Sequence, residues 1–185
     1  MLRPQVIDPF PEDIDRDGFG HWLAGFTDGE GCFCLPYTRN RKRTDAYTPS
    51  ARFTINLRAD DAVILYTIQS YWRKGRVSVN PLIDKRNPNP HIVFHVHGMR
   101  DLLNTVVPHF ERFPLRAKKA RDFAIWKQAV ALLVEVSGKP PHRTGPLGRW
   151  TQEDLQKFLS LRAALENIRT YRPSPTDPPT GRFSQ

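Results

Sequence analysis

Leu23-Ala24-Gly25-Phe26-Thr27-Asp28-Gly29-Glu30-Gly31 is the stretch that decides the fold. It opens as an amphipathic helix, in which Trp22, Leu23 and Phe26 can share one face, and it breaks at Gly29-Glu30-Gly31. Gly25 and Gly29 stand four residues apart on that helix. Successive turns of one face then carry no side chain, so two such helices could meet backbone to backbone. Glu30 falls between the last two glycines and puts a carboxylate where the chain leaves the helix pair.

The rest of the chain narrows what that carboxylate meets. With 185 residues the protein is most simply one domain with a full core. Lys and Arg number 28 against 19 acids, a formal charge of +9. That excess suits a polyanionic partner, and nucleic acid is the commonest. No run of about 18 apolar residues occurs, and no basic amphipathic helix stands out, so a membrane is not expected. The N-terminus carries no apolar h-region, so the expectation is a cytoplasmic, nucleoid-associated or organellar protein. Cys32 and Cys34 are the only cysteines. Spaced by two on a strand they share a face but make a poor disulfide, and no Cys/His pair completes a zinc site. They read as two small reduced side chains.

Residues 1–12, with prolines at 4, 9 and 11, read as an extended arm. Asp15 or Asp17 caps the helix that carries the glycine stretch. A strand from Cys32 runs into the basic tip Arg39-Asn40-Arg41-Lys42-Arg43. Residues 50–58 alternate, with Phe53, Ile55 and Leu57 on one side and Arg52, Thr54, Asn56 and Arg58 on the other. A sheet with one apolar and one basic, hydrogen-bonding face is what reading a nucleic-acid groove requires. Asp60-Asp61 open a helix through Trp72 with Val63, Ile64, Ile68 and Tyr71 as its stripe, and Gly75 ends it. A second hairpin follows, from Arg76 to about Asn80 and from His91 to Gly98. Helices are expected at about 99–112, 116–136 and 151–170, the last opened by a Thr151/Asp154 capping box. The ordered domain then spans 13–172, and the proline-rich 173–185 reads as a disordered tail.

These features resemble the single-motif LAGLIDADG homing endonuclease family, matched at Leu23, Ala24, Gly25, Asp28, Gly29 and Gly31, with Glu30 where the family usually has Asp. Phe53-Thr54-Ile55-Asn56-Leu57-Arg58, Lys74-Gly75-Arg76-Val77 and Phe113-Pro114-Leu115-Arg116-Ala117-Lys118-Lys119 fall in the family's order. Only one copy of the motif is present. The resemblance implies an α+β, αββαββα LAGLIDADG fold with a four-stranded antiparallel saddle sheet and extra C-terminal helices. It implies pairing of two copies through Trp22, Ala24, Gly25, Asp28 and Gly29, and a homodimer acting on double-stranded DNA at a long pseudo-palindromic site. Glu30 becomes the divalent-metal ligand with the Gly29 carbonyl as a second donor, and the oxygen chemistry points to magnesium or manganese. Arg116 or Lys118 supplies the basic residue near the scissile phosphate.

For DNA contacts the resemblance directs attention to the polar strand faces and hairpin tips: Arg39, Arg41, Lys42 and Arg43, then Ser50, Arg52, Thr54, Asn56 and Arg58. The second hairpin continues that surface through Arg76, Ser78, Asn80, Lys85, Arg86, His91 and His95. His91 and His95 lie too far apart along a strand to chelate one metal ion. Leu57 stands where the family often has a polar, water-positioning residue. That departure and Glu30 sustain a second reading, a cleavage-impaired binding protein such as an intron RNA maturase or a regulator. A third, a basic ribosome-associated protein, fits the charge but not the ordered motifs.

Overall fold

A computed structural model describes residues 7–39, 47–80, 90–139 and 149–169. The first helix, α1 (Arg16–Glu30), starts at Asp15, whose carboxylate accepts from the Asp17 and Gly18 backbone N–H groups at 3.2 and 2.7 Å. Asp15 is therefore the cap, and Asp17 instead binds Arg112 across the fold at 2.8–2.9 Å. Part of the expected N-terminal arm is packed: the Phe10 ring lies edge-on to Phe19 and Tyr71.

Gly31 begins β1 (Gly31–Cys34) in ordinary extended backbone, φ −74° and ψ 155°, so no left-handed turn demands a glycine there. The demand is space. A Cβ would stand 2.4 Å from the Thr27 Cγ2 and 2.8 Å from the Thr27 carbonyl oxygen. Beyond β1, Leu35-Pro36 interrupts the ladder because proline has no N–H to donate. The strand expected to run on from Cys32 thus splits, and β2 (Tyr37–Arg39) pairs with β3 (Tyr47–Pro49) as a separate two-stranded ribbon.

The main sheet adds β4 (Arg52–Arg58), β5 (Arg76–Asn80) and β6 (His91–Val96) in the antiparallel order β1-β4-β6-β5. Its register sorts the two faces. Phe33, Phe53 and Val96 form one inward row, and Ile55, Phe94 and Val77 another. Cys32, Thr54, His95 and Arg76 form an outward row, flanked by Cys34 and Arg52 on one side and Asn56, Val93 and Ser78 on the other. The helices cover the inward face, as an antiparallel sheet with one solvated side allows.

After a 3₁₀ turn at Ala59–Asp61, α2 (Ala62–Trp72) turns Leu65, Ile68 and Trp72 into the core. The expected stripe is rotated: Val63 is 74% exposed, because positions i, i+3 and i+7 from Leu65 are the ones that meet the sheet. Gly75 takes φ +84°, and a Cβ there would strike the Phe94 ring at 2.5 Å. A helical run over 99–112 contains α3 (Met99–Asp101), a π-helical stretch Leu102–Val106 and α4 (Val107–Arg112). Phe33 of β1 packs on Phe110 of α4 and on Trp126 of α5 (Lys119–Gly138), with Trp126 fully buried.

The last helix, α6 (Gln152–Arg169), packs on α5 and opens with a reciprocal capping box. The Asp154 N–H donates to the Thr151 hydroxyl at 3.1 Å, and the Thr151 N–H donates to the Asp154 carboxylate at 3.2 Å. Lys139 closes the same carboxylate from the end of α5 at 3.0–3.1 Å. At the far end Arg169 donates to Asp122 at 2.8 Å and to the Phe33 carbonyl at 2.6 Å, tying α6 to α5 and β1. Among the described residues, no helix is long and apolar enough to cross a membrane. The tail and both hairpin tips lie outside the described residues.

Candidate catalytic end and nucleic-acid interface

Trp22, Gly25, Phe26 and Gly29 lie at i, i+3, i+4 and i+7 of α1 and form one outward stripe, with Phe26 half-buried against the core. Trp22 is 42% exposed and stacks on Phe26 with ring centroids 4.9 Å apart and planes at 14°. Among the described residues, a Cβ built on either Gly25 or Gly29 would meet no atom within 4 Å, so these glycines relieve no crowding there. Leu23 and Ala24 point the other way, and Ala24 is 4% exposed in the core rather than on the pairing stripe the sequence suggested. Leu23 likewise leaves the face expected for Trp22 and Phe26, because a 100° step per residue turns it from that stripe towards the core, where it is fully buried.

Asp28 has a specific job that local sequence did not reveal. Its Oδ2 accepts from the backbone N–H groups of Arg116 and Ala117 at 2.7 and 3.1 Å. The end of α1 thereby fixes the turn that carries both candidate basic residues. The other oxygen, Oδ1, is buried with no hydrogen-bond partner among the described residues. Glu30 closes the helix exposed, with no hydrogen bond or ion pair among the described residues. Arg116 and Lys118 are both exposed on the turn that Asp28 holds.

Next to this end lies a cavity of about 290 Å³ lined by Gly31, Cys32, Lys118, Lys119, Asp122, Ile168 and Arg169. Three cations therefore gather one residue beyond Glu30. The sequence singles out Lys118 as a site residue but neither Lys119 nor Arg169. Lys119 stood in a basic run where nothing singled it out, and Arg169 reaches β1 from 136 residues away.

The outward sheet face continues from there. Arg52, Asn56 and Arg76 are exposed, and Thr54, Ser78, His91 and His95 are half-buried on the same side. Burial, together with neighbouring His97, Arg52 and Arg76, holds the His95 imidazole below the usual histidine range. Arg58 sits at the end of the row, but its guanidinium grips Asp60 through both Nε and Nη2. Ser50 lies off the ladder and donates to the Pro36 carbonyl at 3.2 Å. It helps line an open groove with Arg52, His95 and His97. Leu57 faces the core, half-buried. Arg39 pairs with Tyr47 and Asn80 with His91 in the ladders. Arg41, Lys42, Arg43, Lys85 and Arg86 lie outside the described residues. No group of three or more His, Cys, Asp or Glu side chains suited to a metal ion occurs among the described residues.

Comparison with known proteins agrees with this arrangement. A family model described as "LAGLIDADG endonuclease" matches residues 23–130. The "Probable intron-encoded endonuclease 2" of Neurospora crassa is 31% identical over 145 residues, 78% of this chain and 28% of that protein. The "Probable intron-encoded endonuclease Cox1-I1b" of Schizosaccharomyces pombe is 28% identical over 119 residues, 64% of this chain and 29% of that protein. The chain thus spans less than a third of the length of these curated relatives. Among solved structures, the homing endonuclease I-TnaI superposes with a TM-score of 0.62 at 25% identity, covering 84% of this chain and 96% of that one. The LAGLIDADG homing endonuclease I-LtrWI, solved bound to target DNA, gives a TM-score of 0.68 at 20% identity over 92% of this chain and 49% of its own. By motif, topology and family match, the chain belongs to the LAGLIDADG endonuclease family.

Proposed function

We propose that two copies of this chain pair through α1 and act as a sequence-specific, divalent-metal-dependent DNA endonuclease. The observation that carries this reading is the bare glycine stripe, which runs directly into a carboxylate that has no partner among the described residues. Among the described residues nothing crowds Gly25 and Gly29, and Glu30 precedes Gly31, which lines the cavity holding Lys118 and Lys119. Pairing on that stripe brings two Glu30 carboxylates to one axis and offers the lone Asp28 Oδ1 a setting in which to find a donor.

The donor set fits a hard divalent cation. Glu30 is a free oxygen ligand, the Gly29 carbonyl lies one residue before it, and a second copy doubles both. A carboxylate at a helix C-terminus also meets the negative end of the dipole, which a cation relieves. Magnesium or manganese held there would supply charge neutralisation for in-line hydrolysis of a phosphodiester. The chain's own residues do the rest. Asp28 fixes the 116–118 turn, so that Arg116 and Lys118 stand ready to neutralise phosphate charge. The row of Arg52, Thr54, Asn56, Arg76, Ser78, His91 and His95 presents donors and acceptors to a groove, with Asn56 suited to adenine. Arg58, already paired with Asp60, contributes less than its position suggested.

Selection of bound duplexes from a random pool, followed by sedimentation and incubation with magnesium, tests the proposal. The expected result is a two-to-one complex on a pseudo-palindromic site and a cut in both strands. A one-to-one complex that leaves the DNA whole would overturn it. One observation favours a second reading, binding to DNA or to the host intron RNA without cleavage: Leu57 puts an apolar, inward side chain where the family resemblance leads one to expect a polar, water-positioning one. Retention of selected nucleic acid with no cut in any divalent metal would support that reading instead.

A further inference from the structure

Cys32 and Cys34 stand on the outward face of β1, opposite Thr54 and Arg52, and their sulfur atoms are in hydrogen-bond contact at 3.2 Å. Neither is buried, and Cys32 opens into the cavity that also holds Lys118, Lys119 and Arg169. Nothing in the endonuclease reading uses either sulfur. We infer that this pair is a reversible thiol–disulfide exchange site for anionic low-molecular-weight disulfides of the glutathione class. The part of the inference that concerns DNA rests on the sheet face being the DNA surface; the exchange chemistry does not.

Three features carry it. The two sulfurs already touch, so a second thiol is in place to resolve a mixed disulfide formed on the first. Lys118 and Lys119 in the cavity and Arg52 across the ladder favour an incoming reagent that carries carboxylates, while Arg169 is already paired with Asp122 in the same lining. Residues i and i+2 of a strand stand about 6.6 Å apart at Cα, at the long end of what a disulfide spans. The bond would be strained and easily reduced, which suits a switch and not a staple. Cys34 is the attacking group. It stands opposite Arg52 in the ladder, and the hydrogen bond shared with Cys32, together with that guanidinium, lowers its thiol against the effect of burial.

In the first step the Cys34 thiolate attacks one sulfur of the reagent. A Cys34 sulfur–sulfur bond forms, the reagent's own disulfide breaks, and its other half leaves as a thiolate. The contact with Cys34 that holds the Cys32 thiol up is consumed in that step, and Cys32 then loses its proton to solvent and attacks the Cys34 sulfur, expelling the second thiolate. Two protein thiols are oxidised by two electrons, and one small disulfide is reduced to two thiols. A mixed disulfide would place a bulky anion between Arg52 and Thr54, where phosphate or base edges are expected. The closed disulfide would draw residues 32 and 34 together beside Glu30.

The test treats the full-length protein with oxidised glutathione near neutral pH, quenches with an alkylating reagent and reads intact mass alongside DNA affinity. Wild type is expected to lose two hydrogens, Cys32→Ser to accumulate one glutathionyl group, and Cys34→Ser to react at least tenfold more slowly than Cys32→Ser. The glutathionylated Cys32→Ser protein should bind selected DNA at least tenfold more weakly, recovering on reduction. Circular dichroism of each variant excludes misfolding as the cause. Wild type that stays fully reduced, or Cys34→Ser that reacts as fast as Cys32→Ser, would overturn the site. Adduct formation with unchanged DNA affinity would overturn its link to DNA. A reduced protein that binds no DNA would instead refute the functional reading and leave the mass result standing.

Discussion

Gly25→Ala combined with Gly29→Ala separates what the α1 stripe does for one chain from what it does for two. Both glycines lie within α1, and neither added Cβ meets an atom within 4 Å. In a helix interior alanine is favoured over glycine by about 0.5–1 kcal/mol. Gly29 is next to the helix end, where the gain is smaller, so the isolated chain should become more stable by about 1 kcal/mol. Pairing should move the opposite way. Methyl groups forced into a close helix contact cost about 1–3 kcal/mol, which weakens self-association by roughly 5- to 150-fold. Urea unfolding at a protein concentration low enough to keep the chain monomeric reads the first quantity, and sedimentation equilibrium reads the second. The reasoning is refuted if the unfolding midpoint falls, for then the glycines are already packed in one chain. It is equally refuted if the midpoint rises while the association constant stays the same.

Asp28→Ala removes the acceptor of two backbone N–H bonds at a partly exposed site and should cost about 1–2 kcal/mol in urea unfolding. Cleavage should fall further than DNA binding, because the 116–118 turn is released, and a variant with wild-type stability would remove Asp28 as its anchor. Arg169→Ala strands the Asp122 carboxylate, which is 5% exposed, and should cost about 3 kcal/mol. Adding Asp122→Leu should restore most of that loss, and an unfolding midpoint no higher than that of the single variant would contradict the account. His109, 7% exposed with its Nε2 unpartnered, is held down to about 4 by burial. Its folded value lies below its unfolded one, so the neutral ring's contribution is present above about pH 6.5 and is lost as pH falls towards the folded value. The unfolding free energy from urea titrations should drop across that window by of order 3 kcal/mol, and His109→Phe should flatten the profile; an equal drop in the variant assigns the effect elsewhere.

What the sequence disclosed was local. The alternation from Arg52 to Arg58 has the period of a strand and sorted correctly into buried and outward faces. Thr151 and Asp154 lie three residues apart and formed the capping box, as such spacing allows. The misplaced details required tertiary knowledge. Val63 is as apolar as Leu65, and only the position of the sheet decides which is buried. Asp28 fits a pairing stripe as well as any polar residue until the turn 88 residues later reaches its carboxylate. Nor could a one-dimensional reading bring Arg169 to the Phe33 carbonyl, or turn Ala24 away from Gly25. The two sulfurs could be placed on one face, but not in contact.

The central claim is that Glu30 is the carboxylate through which a paired α1 cuts DNA. Its most direct measurement is magnesium-dependent cleavage of the selected duplex by wild type and Glu30→Gln, each first shown to bind that duplex equally well. The account predicts breaks in both strands with wild type and intact duplex with Glu30→Gln. Cutting at the wild-type rate by the amide variant would contradict it.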